Sequence, residues 1–395
     1  MRPLRVERAN APRRILTALL VSATSLAALA LPTSATAEDS RAKGWGSNST
    51  YQLGAADTSS RSTPSAIAGL TGADLTSLVA GGANTDGFGL ALLRNGTVDA
   101  WGYNGYGQLG DGSTSNHAAP GTVAGLSDVR AIAAGCHHSL ALLNDGTVRA
   151  WGYNGYGQLG DGTNSNRSNP VTVAGLSGVR AIAAGCDHSL ALLNDGTVRA
   201  WGYNGYGQLG DGSNVNRSNP VTVAGLNNAQ SLVGGQNHSA ALLNDGLVWA
   251  WGYNGYGQLG DGGTTNRSTA AAVQNLANAR SLAAGGNSTY ALLGDGAVRA
   301  WGYNNYGQLG DGSNTNRLTP VAVPNLANVK SIAAGQVHAL ALLSDGTVRA
   351  WGYNGYGQLG DGSTTNRLTP VAAAGADNYL TFIAAPSYGY FSFAA

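Results

Sequence analysis

The chain has 395 residues, 60 of them glycine, with 11% charged residues and a formal net charge of +1. So little charge leaves no basic footprint for a general nucleic-acid partner. Glycine at this level outside a regular pattern would mean a disordered or collagen-like chain, so its spacing decides the class.

Residues 1–37 read as a secretory signal peptide. Arg2, Arg5, Arg8, Arg13 and Arg14 form a basic start, an apolar run extends from Ile15 to Leu31, and Ala35-Thr36-Ala37 is a small-residue cleavage site. The run is short and interrupted by Thr17, Ser22, Thr24 and Ser25, unlike a membrane span. No second apolar segment follows, so a soluble, exported protein with no membrane partner is expected. Without residues 1–37 the chain keeps 17 basic and 20 acidic side chains, a net charge of −3. Export also places Cys136 and Cys186 in an oxidising setting.

Residues 38–395 form one repeating array. A worn phrase, WGSNSTYQLG, opens at Trp45. The phrase WGYNGYGQLGDG then begins at Trp101, Trp151, Trp201, Trp251 and Trp351, with Asn305 the single change in the copy at Trp301. The spacing from Trp101 onward is 50 residues each time, which means an array of one supersecondary unit. Its glycines recur at the period and are turn residues of that unit.

One repeat reads as four strands. Val129–Ala134 is a short apolar strand and Ser139–Leu143 a second. Asn144-Asp145-Gly146 is a tight hairpin turn, and Thr147–Trp151 is the third strand. The glycine-rich phrase follows as a long loop. Pro170–Val173 reads as an outer strand, where proline is tolerated. No segment has helical periodicity, and the strands are apolar on both faces. Sheets covered by copies of themselves fit that pattern, as in the blades of a propeller.

After residue 37, Arg41–Trp45 resembles only a third strand with its loop. The far end supplies Phe382–Ala385 and Tyr390–Phe393, which match a first and a second strand. Joining these into one sheet closes the circle. The expected fold is therefore all-β, a seven-bladed propeller of four-stranded antiparallel blades.

Several recurring residues are candidates for chemistry. His138, His188, His238 and His338 recur, with Phe88, Ser288 and Gly389 in their place elsewhere. An imidazole bonded to neighbouring loop backbone is expected there, not a metal or catalytic ring. Asp111, Asp161, Asp211, Asp261, Asp311 and Asp361 sit in D-G-x-x-x-N, too poor in carboxylates for calcium. They cap turns and face Arg167, Arg217, Arg267, Arg317 and Arg367. No phosphate loop, triad or paired-carboxylate motif is present, so no enzyme activity, metal or cofactor is expected.

Twelve loop tyrosines remain: Tyr103, Tyr106, Tyr153, Tyr156, Tyr203, Tyr206, Tyr253, Tyr256, Tyr303, Tyr306, Tyr353 and Tyr356. Strand alternation puts their loops and the Gly-x-x-His loops on one face. They either anchor a ligand there or wedge between blades. Cys136 and Cys186 are a candidate disulfide. A seven-fold ring of about 8 Å radius puts their Cα atoms about 7 Å apart, the upper limit for a bridge.

Gly-x-x-His, Leu-x-x-(Asn/Asp)-Gly-x-Val and Trp-Gly-x-Asn-x-x-Gly-Gln-Leu-Gly, recurring in register, resemble the regulator of chromosome condensation repeat. The resemblance covers residues 38–395 and implies a seven-bladed propeller closed by its two ends. A bacterial, secreted member is implied here, with a more distant likeness to the propeller-shaped beta-lactamase inhibitory proteins. The founder's activity, guanine-nucleotide exchange on Ran, depends on an inserted wing for which the even 50-residue spacing leaves no place. The expected function is that of a monomeric, secreted, non-enzymatic module binding an extracellular protein, such as an enzyme that it inhibits. The alternatives are carbohydrate binding through the repeated tyrosines and, by family analogy, nucleotide exchange.

Overall fold

A computed structural model describes residues 21–22, 24–25, 41–71, 74–376 and 380–395. The signal peptide read over residues 1–37 lies outside them, apart from Val21–Ser22 and Thr24–Ser25, which pair antiparallel. The described residues contain no α-helix. Beside that two-stranded pair they form seven sheets, each a four-stranded antiparallel blade, one of which gains a fifth short parallel strand. The protein is a seven-bladed β-propeller.

In the repeat at residues 129–172 the strands are Val129–Ala134, His138–Leu143, Val148–Gly152 and Arg167–Thr172. The second strand is buried along nearly its whole length. Sheet neighbours flank it on both sides and other blades cover both its faces, which is why its sequence is apolar without alternation. The fourth strand is part-exposed at the outer edge and accommodates Pro170. His138 pairs with Gly152 and Leu142 with Val148, so the hairpin turns at Asn144-Asp145-Gly146, with Gly146 in the left-handed conformation (φ 84°).

The core lies between blades, not within one. Leu140 and Leu142 of this blade pack with Ile182 and Trp201 of the next. Seven such clusters follow one another around the ring, each filled by two neighbouring blades. Trp45, Trp101, Trp151, Trp201, Trp251, Trp301 and Trp351 are all fully buried in them.

Each indole N–H reaches back to the preceding blade. Trp151 Nε1 donates to the carbonyl oxygen of Gln108 at 2.8 Å, and Trp201 to that of Gln158 at 2.8 Å. Trp45 donates to Gln358 and Trp101 to Gln52, so the series runs around the whole circle. The glycine after the tryptophan is required by crowding. Gly152 has φ 102°, and a side chain there would run into the His137 carbonyl oxygen. The Asp-Gly extension of the phrase also bridges blades, since Gly162 N–H donates to the Ser218 oxygen of the next outer strand at 3.0 Å.

The seventh blade is assembled from both ends. Its strand order is Ile383–Ala384, Phe391–Ala394, Arg41–Gly46 and Arg61–Thr71. Trp45 pairs with Ser392 and Gly46 with Phe391. That register corrects one assignment. Phe391, not Gly389, occupies the histidine position, because it faces Gly46 as His138 faces Gly152. Gly389 instead pairs with Asn84 in a short parallel strand of the following blade.

Phe391 and Phe393 are fully buried in the cluster between this blade and the next. Deleting residues 382–395 removes two strands of one blade and exposes the flanks of two cores. The truncated chain is expected to melt at least about 10 °C lower or to fail to fold. Phe393→Ala alone should cost about 3–5 kcal/mol in denaturant unfolding. A truncated chain that melts with the full one would refute closure as the source of stability.

Candidate functional site: a tyrosine belt around one face

The loop that carries the tyrosines is fixed by its own polar residues. In the copy at Trp151, the buried Asn154 accepts from Leu159 N–H at 3.0 Å and donates through Nδ2 to Asp161 at 3.2 Å. Gln158 Oε1 accepts from Tyr156 N–H at 3.0 Å. Asp161 also takes Thr163 N–H and Arg167 Nε, both at 2.9 Å. Burial opposes ionisation of Asp161, but the hydrogen bonds from Thr163, Arg167 and Asn154 outweigh it and hold the carboxyl below the usual range. Arg217, Arg267, Arg317 and Arg367 pair with Asp211, Asp261, Asp311 and Asp361 in the same way, and His117 with Asp111. These carboxylates are consumed in turn structure.

On that frame the tyrosine rings touch one another in series. Tyr103 and Tyr106 lie 6.2 Å apart edge to face, Tyr106 and Tyr153 are 5.0 Å apart across the blade boundary, and Tyr153 and Tyr156 are 6.0 Å apart. The alternation continues through Tyr203, Tyr206, Tyr253, Tyr256, Tyr303 and Tyr306 to Tyr353 and Tyr356. It ends on Tyr390, which stacks on Tyr356 at 5.3 Å. The belt spans six blades and stops at the seventh, where Ser47 and Thr50 stand at the tyrosine positions.

The rings are neither buried wedges nor free side chains. The tryptophans fill the blade interfaces, while the tyrosines cross those interfaces at the surface. Tyr156, Tyr306 and Tyr356 are 37%, 39% and 36% exposed, and the other nine are half-buried. Burial, and then the neighbouring tyrosine and Asp187, push the Tyr153 hydroxyl above its ordinary range, so it is a donor at neutral pH.

Inside the belt lie the Gly-x-x-His loops. His137 packs 5.0 Å from Tyr106, and burial lowers its pKa to about 4. Asp187, at the matching position one blade on, is pushed up to about 6 by burial. The histidines that follow have a different partner from the loop backbone expected. His138, His188 and His238 each meet a hydroxyl of the next blade through Nε2 at 2.9 Å, from Ser189, Ser239 and Thr289, and His338 meets Ser392 at 3.0 Å. They are fully buried, and among the described residues none joins a metal-binding group.

Cys136 and Cys186 are joined by a disulfide, with Cα atoms 4.4 Å apart instead of about 7 Å. The inner ends of the blades sit closer than a simple ring allows, because adjacent loops bond directly. Cys136 N–H donates to the Cys186 oxygen at 3.0 Å.

Comparison with known proteins follows this geometry. The profile of the RCC1-like domain matches residues 166–388. Profiles of the regulator of chromosome condensation (RCC1) repeat match residues 44–85 and 95–142, and residues 79–108 and 129–158. The RCC1 domain-containing protein RUG3, mitochondrial, of Arabidopsis thaliana is 34% identical over 115 residues, 29% of this chain and 25% of that protein. The match thus spans about a quarter of that relative. Prp20p from Saccharomyces cerevisiae, whose structure is described with its binding to Gsp1p and histones, superposes with a TM-score of 0.78 at 25% identity, over 91% of this chain and 92% of its own. Human WBSCR16 superposes with a TM-score of 0.77 at 25% identity, over 90% and 98%.

Two outcomes are expected from the geometry of this face. Thiol titration of unfolded, unreduced protein should find no free thiol, and two free thiols would exclude the bridge. The second outcome concerns acid. Burial holds His138, His188 and His338 at about 3 and His238 at about 4, against 6.5 for an ordinary histidine. The unfolded chain takes up these protons first, so each histidine contributes stability that is full above pH 6.5 and lost as pH falls toward 4. The slope is about 1.4 kcal/mol per pH unit for each. His238→Gln should make the fall in denaturant stability between pH 6.5 and 4 shallower by about one such share, and an unchanged slope would refute the assignment.

Proposed function

Because the chain belongs to the family of RCC1-like propellers built from regulator of chromosome condensation repeats, we propose that it is a non-catalytic protein-interaction module. Its binding surface is the tyrosine belt. The observation that carries this reading is the unbroken arc of twelve part-exposed rings on one face of a rigid ring. Aromatic side chains anchor partners well because they bury much area at little entropic cost. Here each ring is already restrained by its neighbours.

The yeast relative Prp20p supports a protein as partner, since its structure is described together with binding to Gsp1p and histones. The signal peptide read from the sequence of residues 1–37 and the disulfide support a partner outside the cell, an enzyme inhibited by this chain being one such partner. The net charge of −3 without the leader disfavours nucleic acid.

The test begins by retaining proteins from the culture fluid of the source cells on the immobilised chain and identifying them by mass spectrometry. Calorimetry with the purified partner then compares variants. Tyr103→Ala, Tyr153→Ala and Tyr203→Ala, added in turn, should each weaken binding about five- to tenfold. Asp145→Ser, in a hairpin turn on the opposite face, should leave affinity unchanged. A partner that binds the triple variant at full strength would refute the belt as the interface.

A further inference from the structure

The repeats differ from one another at the residue just after the glycine that ends the first strand. In successive blades it is Cys136, Cys186, Gln236, Gly286 and Gln336. On the first side of the mouth the disulfide draws two loops together. On the other side, Gly286 separates two glutamines and opens the floor, and a side chain there would meet the Gln336 carbonyl oxygen at 2.8 Å. A pocket of about 280 Å³ results, with Gln236, Asn287 and Gln336 beneath and the rings of Tyr303, Tyr306 and Tyr353 around it.

Repetition does not account for this pocket. Its far wall is Tyr388 and Tyr390, from the C-terminal segment that leaves the repeat pattern to pair with Ala83 and Asn84. Among the described residues this wall is not copied by the other repeats, unlike the belt.

Its chemistry is specific. No charged side chain lines it. Gln258 Nε2 donates to Asn287 Oδ1 at 3.0 Å, and Asn287 Nδ2 donates to Gln236 Oε1 at 3.1 Å, so a relay of carboxamides orients Gln236. The Gln336 side chain has a long bond from Nε2 to Asn84 Oδ1 at 3.5 Å, and its Oε1 is tucked beneath the surface with no partner among the described residues, so a rotation of this amide brings an unused acceptor to the pocket. Uncharged amides offer both donors and acceptors, and aromatic faces cover the weakly polar C–H faces of a saturated ring. A carboxylate or phosphate would find no cation here.

We infer that this pocket binds one neutral hydroxylated ring, a pyranose, free or at the end of a glycan. The inference goes beyond the protein-binding belt: the pocket shares Tyr303, Tyr306 and Tyr353 with it, but rests on the carboxamide floor and on Tyr388 and Tyr390, which lie outside the twelve repeated rings.

Ligand-observed saturation-transfer NMR on the full, disulfide-intact chain tests it with glucose, galactose, mannose, N-acetylglucosamine, glucuronate and choline as probes. At least one neutral pyranose should saturate. Gln336→Ala should weaken it about three- to tenfold and Tyr306→Ala about tenfold, while Asp145→Ser, in a hairpin turn outside both the belt and the pocket, should leave it unchanged. Circular dichroism melting of each variant checks that the fold is kept. The inference is overturned if no neutral pyranose saturates at tens of millimolar, if choline or glucuronate binds in its place, or if Gln336→Ala and Tyr306→Ala keep the fold and bind the pyranose as tightly as the unaltered chain. None of those results decides whether the belt is the protein interface, which is tested with the protein partner at Tyr103, Tyr153 and Tyr203, outside the pocket.

Discussion

The carbonyl oxygen of the glutamine in each phrase is the point on which neighbouring blades are hung. Gln108 O accepts the Trp151 indole at 2.8 Å and the Ser139 hydroxyl at 2.9 Å, so both lone pairs are used by the next blade. Water does not reach this oxygen, and an unmet bond there would cost about 1–3 kcal/mol. The arrangement recurs at Gln158, Gln208, Gln258 and Gln358. It fixes the angle between blades through directed bonds, while the apolar clusters on either side supply the non-directional attraction. A long loop can be rigid on these terms, and the tyrosines are mounted on that loop.

The exceptions show how the second donor can be replaced or given up. Blade six has Ala339 where the hydroxyl should be, yet Gln308 O still gains a second donor. Tyr290 replaces the usual leucine or alanine of its own blade and brings its hydroxyl to Gln308 O at 2.7 Å. Room for that ring exists because Ser288 replaces the histidine, and Ser288 donates to the Tyr290 hydroxyl at 3.1 Å. Three changes in two repeats thus conserve one satisfied oxygen. The seventh blade departs from this, where Phe391 replaces a histidine and Gln52 O is bonded by the Trp101 indole. The hydroxyl that would have met it is gone, and Gly89 stands there, with the Trp101 ring filling the space a side chain would need.

Much of this was legible in the sequence, and the reasons differ by feature. Val129–Ala134 falls on the strand expected, because a strand bounded by glycine and covered on both faces has no competing pattern. Closure by residues 382–395 was legible because the two ends are complementary fragments of one repeat. What one repeat cannot show is how close its neighbour comes. The 4.4 Å approach of Cys136 and Cys186 depends on backbone bonds between loops 50 residues apart. The hydroxyl partner of each histidine also lies in the next blade, 51 residues on for His138. The pocket depends on Tyr388–Gly389 pairing parallel to a distant strand, for which no local pattern exists.

Repetition and function pull in different directions in such a ring. Identical loops give a surface of near-uniform chemistry, and Tyr106 against Tyr153 is the same contact as Tyr206 against Tyr253, 5.0 Å and 4.9 Å. A surface of this kind suits a broad partner and distinguishes poorly between orientations. Orientation must come from the departures: the belt's interruption at Ser47 and Thr50, the part-buried Asp187 beside the disulfide, and the glutamine-floored pocket opposite. These departures cluster around the inner loops of one face, where a change of side chain does not disturb the Trp-to-Gln bonds that set the blade angle. The blade interfaces tolerate variation only with compensation, as at Tyr290, whereas the mouth tolerates it freely. That difference in tolerance is a physical reason for specificity to reside at the centre of the face and affinity along its rim.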